Sequence, residues 1–457
     1  MVTRVPTLQA SGLGARAASA KASLFTRATH ALPADASSAP PMAFFVPGRI
    51  EVLGKHTDYG GGRSLLCAVQ QGFCVVGRPG RDRRVRVCNA STGELAEWAL
   101  SPHIQPRRSH WSNYPATVVR RVARNFPDAS VGAEIAFASD VPAASGLSSS
   151  SAFMIGVFLV LAAVNDLSAS PAYLASISNA EGLAGYLATV ENGRSFGALN
   201  GDRGVGTFGG SEDHTAILCC RAATLSQYRF APVSLEREVP MPAGHVFVVA
   251  FSGVLAEKTG AALDTYNVAS RSAARVLEIW RQASGRTDAT LEAAATAEPG
   301  APDEIRRVIV AANDTEFGAD RLTKRFDQFV LESGSIIPAA GDALIAGDLV
   351  RFGNLVDRSQ DAVERWLGNQ VPETIDLARS ARELGAAAAS AFGAGFGGSV
   401  WALVRDGDSR RFSTDWEHAY RQRHPAAAGR AVFFETNAGP AAMRIEHVDS
   451  TPSNTRP

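Results

Sequence analysis

The sequence predicts an α+β protein built of two lobes. Its 457 residues, 46% of them hydrophobic, are enough to bury more than one core. Strand-like segments dominate up to about residue 235, and helical segments with a few strands dominate after it. We therefore expect an N-terminal arm over residues 1–42, an N-terminal lobe over residues 43–235 and a C-terminal lobe over residues 236–457.

The first segment of the chain allows two interpretations. Residues 1–34 carry four basic residues and no acid, among many alanines and serines, which is also the composition of organellar transit segments. The alternative is a loose arm, joined to the first strand by the small and polar linker at residues 33–41.

The elements follow from the spacing of apolar residues. Before the predicted division we expect strands at residues 43–46, 50–53, 71–77, 84–89 and 131–138, and helices at residues 111–126, 151–165 and 172–191. Residues 151–165 are apolar on nearly every side, which predicts a buried helix. After the division we expect strands at residues 245–251 and 399–404, and helices at residues 264–282, 301–317, 320–331, 339–358 and 371–389.

Charge and cysteine content narrow the class of protein. The 45 basic residues balance the 45 acidic residues, so no global field favours nucleic acid or a membrane surface. No apolar run reaches the roughly 18 residues of a membrane span. The five cysteines show no paired CxxC spacing, which argues against a disulfide framework or a zinc site. We expect a cytoplasmic protein that is a monomer or a weak homo-oligomer.

A serine-rich turn is the clearest candidate for an anion site. Residues 142–151 join a predicted strand directly to the buried helix and contain five serines. The first amide groups of a helix have no intrahelical partner and attract anions such as phosphate. An ordinary serine N-cap would account for only one of these serines. No lysine follows the glycine as it does in a Walker A loop.

Two further segments concentrate ionisable side chains beside glycines. Residues 48–59 contain six of them, and residues 209–214 place Glu212 and Asp213 before an apolar run that we interpret as a strand. A carboxylate at the edge of such a strand is a candidate general base. Each segment alone is equally compatible with a solvated turn or an aspartate cap.

In their order and spacing, these motifs resemble the GHMP kinase superfamily and, within it, the galactokinases. Residues 47–59 resemble the galactokinase signature, residues 141–152 the superfamily's phosphate loop, and residues 393–398 its third glycine-rich motif. Shorter matches lie at residues 111–114, 266–267, 352–353 and 372–373, so the resemblance extends over about residues 40–440. It implies a two-lobed GHMP kinase-like fold with the active site between the lobes.

The resemblance also implies a reaction and the residues that perform it. The reaction is phosphoryl transfer from ATP to the anomeric hydroxyl of a sugar, with Mg²⁺ as cofactor and galactose as the default acceptor. Asp213 matches the proton-accepting aspartate and Arg49 the arginine beside it, roles that suit an acid and a fixed cation. The implied sugar contacts are Lys55, His56, Asp58 and Tyr266. The implied ATP contacts are Ala144, Ser145, Gly146, Leu147, Ser148, Ser149 and Ser150. The implied magnesium ligands are Ser150 and Glu191.

The sequence departs from the galactokinase pattern at several positions. Lys55 replaces an acid, Glu51 an asparagine and Ser390 a basic residue. The other departures are Ala144, Ser151, His214, Phe392 and a longer segment between Glu191 and Asp213. Because a lysine donates hydrogen bonds where a carboxylate accepts them, Lys55 bears directly on the substrate.

Two explanations of Lys55 remain open at this stage. Either Lys55 and Glu51 changed together as a local ion pair, or the pocket accepts a different sugar such as a uronic acid. Arabinose and acetamido sugars are further possible substrates. A different class of function is a catalytically inactive regulator that binds sugar and ATP, although the retained serine run argues against it.

Overall fold

The computed structural model describes residues 4–32, 40–105, 107, 110–142, 145–255 and 261–445. The strands are β1 (Met42–Leu53), β2 (Arg63–Pro79), β3 (Arg84–Asn89), β4 (Leu95–Ala99), β5 (Ala133–Ser139), β6 (Thr224–Arg229), β7 (Ser234–Pro240), β8 (His245–Phe251), β9 (Ala388–Phe392), β10 (Ser399–Arg405), β11 (Val432–Thr436) and β12 (Met443–Ile445).

The helices alternate with these strands, and the predicted α+β class is confirmed. They are α1 (Arg4–Ala10), α2 (Ala15–His30), α3 (Asn113–Asn125), α4 (Ser149–Val164), α5 (Pro171–Ser176), α6 (Ala180–Asn192), α7 (Glu212–Cys219), α8 (Ala261–Ser284), α9 (Leu291–Ala295), α10 (Ala301–Ala312), α11 (Ala319–Leu331), α12 (Ile337–Ile345), α13 (Leu349–Ala362), α14 (Pro372–Glu383), α15 (Ser409–Arg423) and α16 (Pro425–Ala428). A π-helical turn, Glu332–Ile336, continues α11 into α12.

Two sheets organise the molecule. The first has the order β12-β1-β2-β5-β3-β4, with β6 also paired to β2 and β7 paired to β6, and only the β3–β5 pair is parallel among its described pairs. The second has the order β11-β8-β10-β9. One hydrophobic core runs from Val46 and Ile155 to Phe352 and Trp401, so the lobes share buried apolar surface.

The change of sheet lies slightly later in the chain than the predicted division at residue 235. The strand β7 still pairs with β6 in the first sheet, and the second sheet begins at β8. Near the end of the described chain, β12 returns to pair with β1. Backbone pairing therefore makes the C-terminal strand part of the N-terminal lobe, which local sequence patterns cannot show.

The N-terminal segment is not the loose arm that composition suggested. The helices α1 and α2 pack on the outer face of the first sheet, where Leu8, Phe25 and Ala28 join Phe45 and Val76 in a buried cluster. The apolar residues recur at helical intervals among the alanines, which gives α2 one buried side. The low content of large apolar residues had obscured that pattern.

A buried ion pair ties α2 to the strand that precedes the phosphate loop. Lys21 is 1% exposed, and its ammonium contacts the Oδ2 atom of Asp140. The Oδ1 atom of Asp140 accepts a hydrogen bond from Gly72 N at 2.9 Å. One carboxylate therefore connects α2, β2 and the end of β5.

Several expected elements differ from the observed ones. Residues 211–220 form the helix α7 rather than a strand, and the expected helix 339–358 is interrupted between α12 and α13. At that break Gly347 adopts a φ of +70°, and the Asp348 side chain caps α13 by accepting from Arg351 N.

The five cysteines are free thiols. Among the described helices none is both long and apolar enough to span a membrane.

Candidate active site

A cleft between the lobes collects five of the predicted site residues, namely Arg49, His56, Asp58, Glu191 and Asp213. It comprises about 550 Å³ of space, including its open mouth. Its walls come from β1, the β1–β2 loop (residues 54–62), the N-terminus of α7 and the third glycine-rich motif. The lining residues are Arg49, Glu51, His56, Asp58, Tyr59, Ala188, Glu191, Asn192, Thr207, Gly209, Gly210, Glu212, Asp213, His214, Gly393 and Ala394.

Arg49 and Asp213 form the central ion pair of the cleft. Arg49 Nη2 lies 2.7 Å and Nε 2.9 Å from Asp213 Oδ1. Arg49 reaches the cleft from β1, and Asp213 lies in the first turn of α7, where the helix dipole favours a carboxylate. Burial opposes the charge of Arg49, but the Asp213 carboxylate outweighs it and raises the arginine pKa above its ordinary value.

Two residues beyond Arg49 on the same strand, Glu51 faces a second carboxyl group. Its side chain is hydrogen-bonded to Glu212, and Ser64 Oγ donates to Glu212 Oε2 at 2.6 Å. Burial raises the pKa of Glu51 to about 7, although Lys55 and Arg49 act in the opposite direction. Burial and the charge of Glu51 also raise the pKa of Glu212. Two buried carboxyl groups in contact cannot both ionise readily, so the pair retains a proton at neutral pH.

Lys55 does not line the cleft, contrary to the sugar contact expected from the sequence. The residue is fully buried, and its Nζ donates to Ser390 Oγ at 2.7 Å. Ser390 in turn donates to Gln360 Oε1 at 2.9 Å. The ammonium is directed toward β9 because that strand offers a hydroxyl acceptor within the core.

His56 and Asp58 do lie at the cleft. His56 Nδ1 is 3.1 Å from Tyr59 Oη, and Nε2 is 3.2 Å from Ala394 O. Asp58 accepts hydrogen bonds from the amides of Tyr59 and Glu212, while its burial raises its pKa. Tyr266 lies in α8, and its side chain is outside the described part of the structure.

Three polar residues of the C-terminal lobe hold the β1–β2 loop from beneath. Arg325 Nη2 donates to His56 O at 2.5 Å, and Gln328 Nε2 donates to Lys55 O at 3.1 Å. Glu332 Oε1 accepts from Gly54 N at 2.9 Å. His56 has a φ of +59°, a left-handed conformation that is unfavourable for a side chain with a Cβ atom. These contacts stabilise that conformation and fix the histidine ring at the cleft.

The phosphate loop packs against both β1 and the third glycine-rich motif. Arg49 Nη1 donates to Gly146 O at 2.5 Å, and Ser399 Oγ donates to Ser145 O at 2.6 Å. Leu147 is fully buried and accepts from Arg49 N through its carbonyl. The predicted contact Ala144 lies outside the described residues.

Ser148 stands at the N-cap of α4 with its hydroxyl available for a ligand. Its Oγ atom is buried and has no hydrogen-bond partner in the described part of the chain. Ser149 and Ser150 follow as the first two helical residues and are partly exposed. The unpartnered hydroxyl and the first amides of α4 together fit an anionic phosphate.

The donor set around Glu191 is suited to Mg²⁺ only together with phosphate oxygens. The described residues contain no cluster of three or more histidine, cysteine or acidic side chains that could hold a metal. Mg²⁺ commonly binds through one or two protein oxygens plus substrate phosphates and water, which Glu191 and a serine can match. The serine that donates to Glu191 here is Ser151, at 2.7 Å, one residue beyond the predicted Ser150.

Sequence reasoning did not single out several residues of this site. Glu212 was indistinguishable from a turn acid, and Arg325 and Gln328 lie on a helix whose pattern indicated only an amphipathic face. Ser151 was noted only as a departure, yet its Oγ also lies 3.5 Å from Asp213 Oδ2. The missing signal is spatial, because these residues are 40 or more positions from their partners.

Comparisons with known proteins place these features in a family context. Three family models match: the galactokinase galactose-binding signature over residues 35–79, the GHMP kinases N terminal domain over residues 113–192 and the GHMP kinases C terminal domain over residues 342–422.

Whole-length relatives give the same result. The galactokinase of Actinobacillus pleuropneumoniae serotype 5b (strain L20) is 28% identical over 367 residues, which cover 79% of this chain and 85% of that protein. The galactokinase of Roseiflexus sp. (strain RS-1) is 27% identical over 409 residues, which cover 89% and 93%. The crystal structure of Lactococcus lactis galactokinase complexed with galactose is similar in fold, with a TM-score of 0.73, 22% identity and coverage of 89% of this chain and 96% of that chain.

Proposed function

We propose that this chain, which is a member of the GHMP kinase superfamily and of its galactokinase branch, transfers the γ-phosphoryl group of ATP to the anomeric hydroxyl of galactose. The matching family models and the galactokinase relatives confirm the family expected from the sequence. The observation that carries the proposed reaction is the contact of Arg49 with Asp213 in a cleft that also borders the phosphate loop.

The geometry supports separate roles for the two oxygens of Asp213. Oδ1 is held by the Arg49 guanidinium, while Oδ2 is the atom to which we assign the proton of the sugar hydroxyl. Arg49 fixes the carboxylate and stabilises negative charge that develops during transfer. His56 and Asp58 orient the sugar, and Tyr266 is retained as a proposed contact from α8.

The phosphates are assigned to the N-terminus of α4. The amides of the phosphate loop and the hydroxyls of Ser148, Ser149 and Ser150 bind their oxygens. We assign Mg²⁺ to Glu191 and Ser150, with Ser151 positioning the Glu191 carboxylate through its hydrogen bond. When bound, the ion neutralises charge on the phosphates.

Release of ADP, measured with Mg²⁺-ATP and galactose, tests the proposal. The intact protein should turn over, and Asp213→Asn should lower kcat by about 100-fold or more because the proton acceptor is lost. Asp320→Asn is a matched control, since it makes the same change on an exposed side of α11. Circular dichroism verifies folding.

The outcomes separate the alternatives. Turnover of arabinose but not galactose would move the protein to another sugar, and ATP and sugar binding without turnover would favour the inactive regulator. Activity of Asp213→Asn within tenfold of the intact protein would remove Asp213 as the proton acceptor.

Two properties of the protein remain predictions within this proposal. The five free thiols support a reducing compartment such as the cytoplasm. The expectation of a monomer or a weak homo-oligomer is tested by light scattering during size-exclusion chromatography across a range of protein concentrations.

A further inference from the structure

The acceptor cleft has an acidic wall, of which the proposed phosphoryl transfer leaves Glu51 and Glu212 unused. Its described lining contains the five acids Glu51, Asp58, Glu191, Glu212 and Asp213, against Arg49 as the one permanent cation. Arg49 is already paired with Asp213. An anionic sugar would therefore meet uncompensated negative charge, whereas a hydrogen-bond donor would meet acceptors.

Glu51 is the acid in this wall whose hydrogen-bonding capacity is least satisfied. The residue is 2% exposed, and its Oε1 atom has no hydrogen-bond partner in the described part of the chain. The rest of its carboxyl group is engaged by Glu212 and by a long contact from Gly393 N to Oε2, at 3.4 Å. A buried acceptor left without a donor is unfavourable, and a ligand that supplies the donor removes that cost.

Glu212 makes the same corner of the cleft more strongly acidic. It borders the cleft beside Glu51 and is bonded to Ser64 on the side of β2. The nearby charge of Lys55 acts to lower the pKa of Glu51 and so favours its ionised form. The Lys55 ammonium is bonded to Ser390, however, and does not line the cleft. The positive charge of Lys55 therefore stabilises the acidic wall from within the protein and does not contact the ligand.

We propose that Glu51 and Glu212 form a specificity-determining pair, which receives a hydrogen-bond donor of the bound sugar and thereby admits a sugar amine while excluding a sugar carboxylate. The inference rests on the proposed sugar kinase function and names the substrate class of that same cleft. It decides between the two explanations of Lys55, because the acidic wall and the burial of the ammonium both oppose a uronic acid.

The test compares kcat/KM for galactose, galactosamine and galacturonic acid in the intact protein, Glu51→Gln and Glu212→Gln. One charge-assisted hydrogen bond corresponds to roughly 10- to 150-fold. We expect each variant to lower the galactosamine-to-galactose ratio by a factor in that range. We also expect the intact protein to use galacturonic acid at least tenfold less well than galactose.

Glu134→Gln is the matched control. Glu134 is a buried acid on β5 that pairs with Arg86 and does not line the cleft. Its replacement makes the same acid-to-amide change, so it should leave the ratio between the two sugars within about threefold, the range of context dependence for one weak contact.

Two results would overturn the inference: equal effects of Glu51→Gln and Glu212→Gln on galactose and galactosamine, or a preference of the intact protein for galacturonic acid. If no sugar is phosphorylated, the proposed function fails on its own. Calorimetric binding of galactosamine and galacturonic acid then decides about the pair, because tighter binding of the acid contradicts it without any need for turnover.

Discussion

The β1–β2 loop and the phosphate loop meet at one cleft but are held from different parts of the chain. The β1–β2 loop is held by long polar side chains of the other lobe, including Arg325, Gln328 and Glu332. The phosphate loop is held mainly at its backbone carbonyls, through contacts from Arg49 and Ser399. Both loops are therefore held at backbone atoms by side chains from elsewhere in the chain, the β1–β2 loop from α11 and the π-helical turn, and the phosphate loop from β1 and β10.

Both loops also depart from the galactokinase pattern. A phosphate group is recognised by backbone amides and hydroxyls, and the phosphate loop keeps its serine run although Ala144 and Ser151 differ from the pattern. Around the β1–β2 loop, the galactokinase pattern has an acid at position 55 and a basic residue at position 390. In this chain the acid is Glu51 and the basic residue is Lys55, so one anion and one cation are retained at different positions. The exchange preserves the net charge of a buried cluster.

The largest expected effect comes from Arg49, the residue that contacts both parts of the cleft. Arg49→Met removes the partner of Asp213 and the bond to Gly146 O. Loss of one partner of a buried pair costs about 3 to 5 kcal/mol, and loss of charge stabilisation costs about 100-fold in kcat. Thermal unfolding and steady-state kinetics measure the two effects. An Arg49→Met variant of normal stability and normal kcat would show that the cleft does not depend on this residue.

Lys55 should contribute to the stability of the protein through its charge beside Glu51. Lys55→Met leaves Glu51 without its nearby ammonium and should destabilise the protein by about 3 kcal/mol. The double variant with Glu51→Gln should recover most of this loss. Urea unfolding of the four proteins in the cycle gives the coupling. A coupling below about 0.5 kcal/mol would mean that the two side chains are independent.

The carboxyl pair predicts a specific pH dependence of stability. The folded pKa of Glu51, about 7, lies above its ordinary value of 4.5, so the folded state retains a proton that the unfolded state has lost. Stability should therefore fall as the pH rises from about 4.5 to about 7, by about 3 kcal/mol at 1.36 kcal/mol per pKa unit. Glu51→Gln should reduce this slope, while burial of Glu212, which raises the pKa of that carboxyl as well, keeps part of it. An unchanged slope in the variant would assign it to other groups.

The smallest expected effect is on the phosphate side. Ser148→Ala removes a hydroxyl with no described partner in the free protein, so stability should change by less than about 0.5 kcal/mol. The KM for ATP should rise by about fivefold, the equivalent of one ordinary hydrogen bond of about 1 kcal/mol, while the KM for galactose stays constant. A parallel rise of both KM values would contradict the separation of the two loops.

The sequence was sufficient for the features that depend on local patterns. The buried helix α4, the core strand β8 and the serine run at the start of α4 follow from apolar runs and capping chemistry. Asp213 and Arg49 were paired through the resemblance, although they are separated by 164 positions. Local patterns alone contain no information about such a contact.

Other features depend on tertiary contacts and were missed for that reason. The direction of the Lys55 ammonium is set by Ser390, which is 335 positions away. The segment around Asp213 was interpreted as a strand because its apolar run is too short to distinguish the two periodicities. Half of the helix α2 is alanine and serine, and its burial depends on the sheet beneath it.

The packing of α1 and α2 on the first sheet has a consequence for the tendency of the protein to aggregate. Beneath them the sheet presents Phe45, Cys74, Val76, Ala136 and Ala138, all at most 1% exposed. A chain shortened to begin at residue 40 would retain every described residue of the cleft and yet turn this apolar face to water. Such patches associate with one another, so we expect the shortened protein to precipitate on concentration while its dilute solution still phosphorylates sugar.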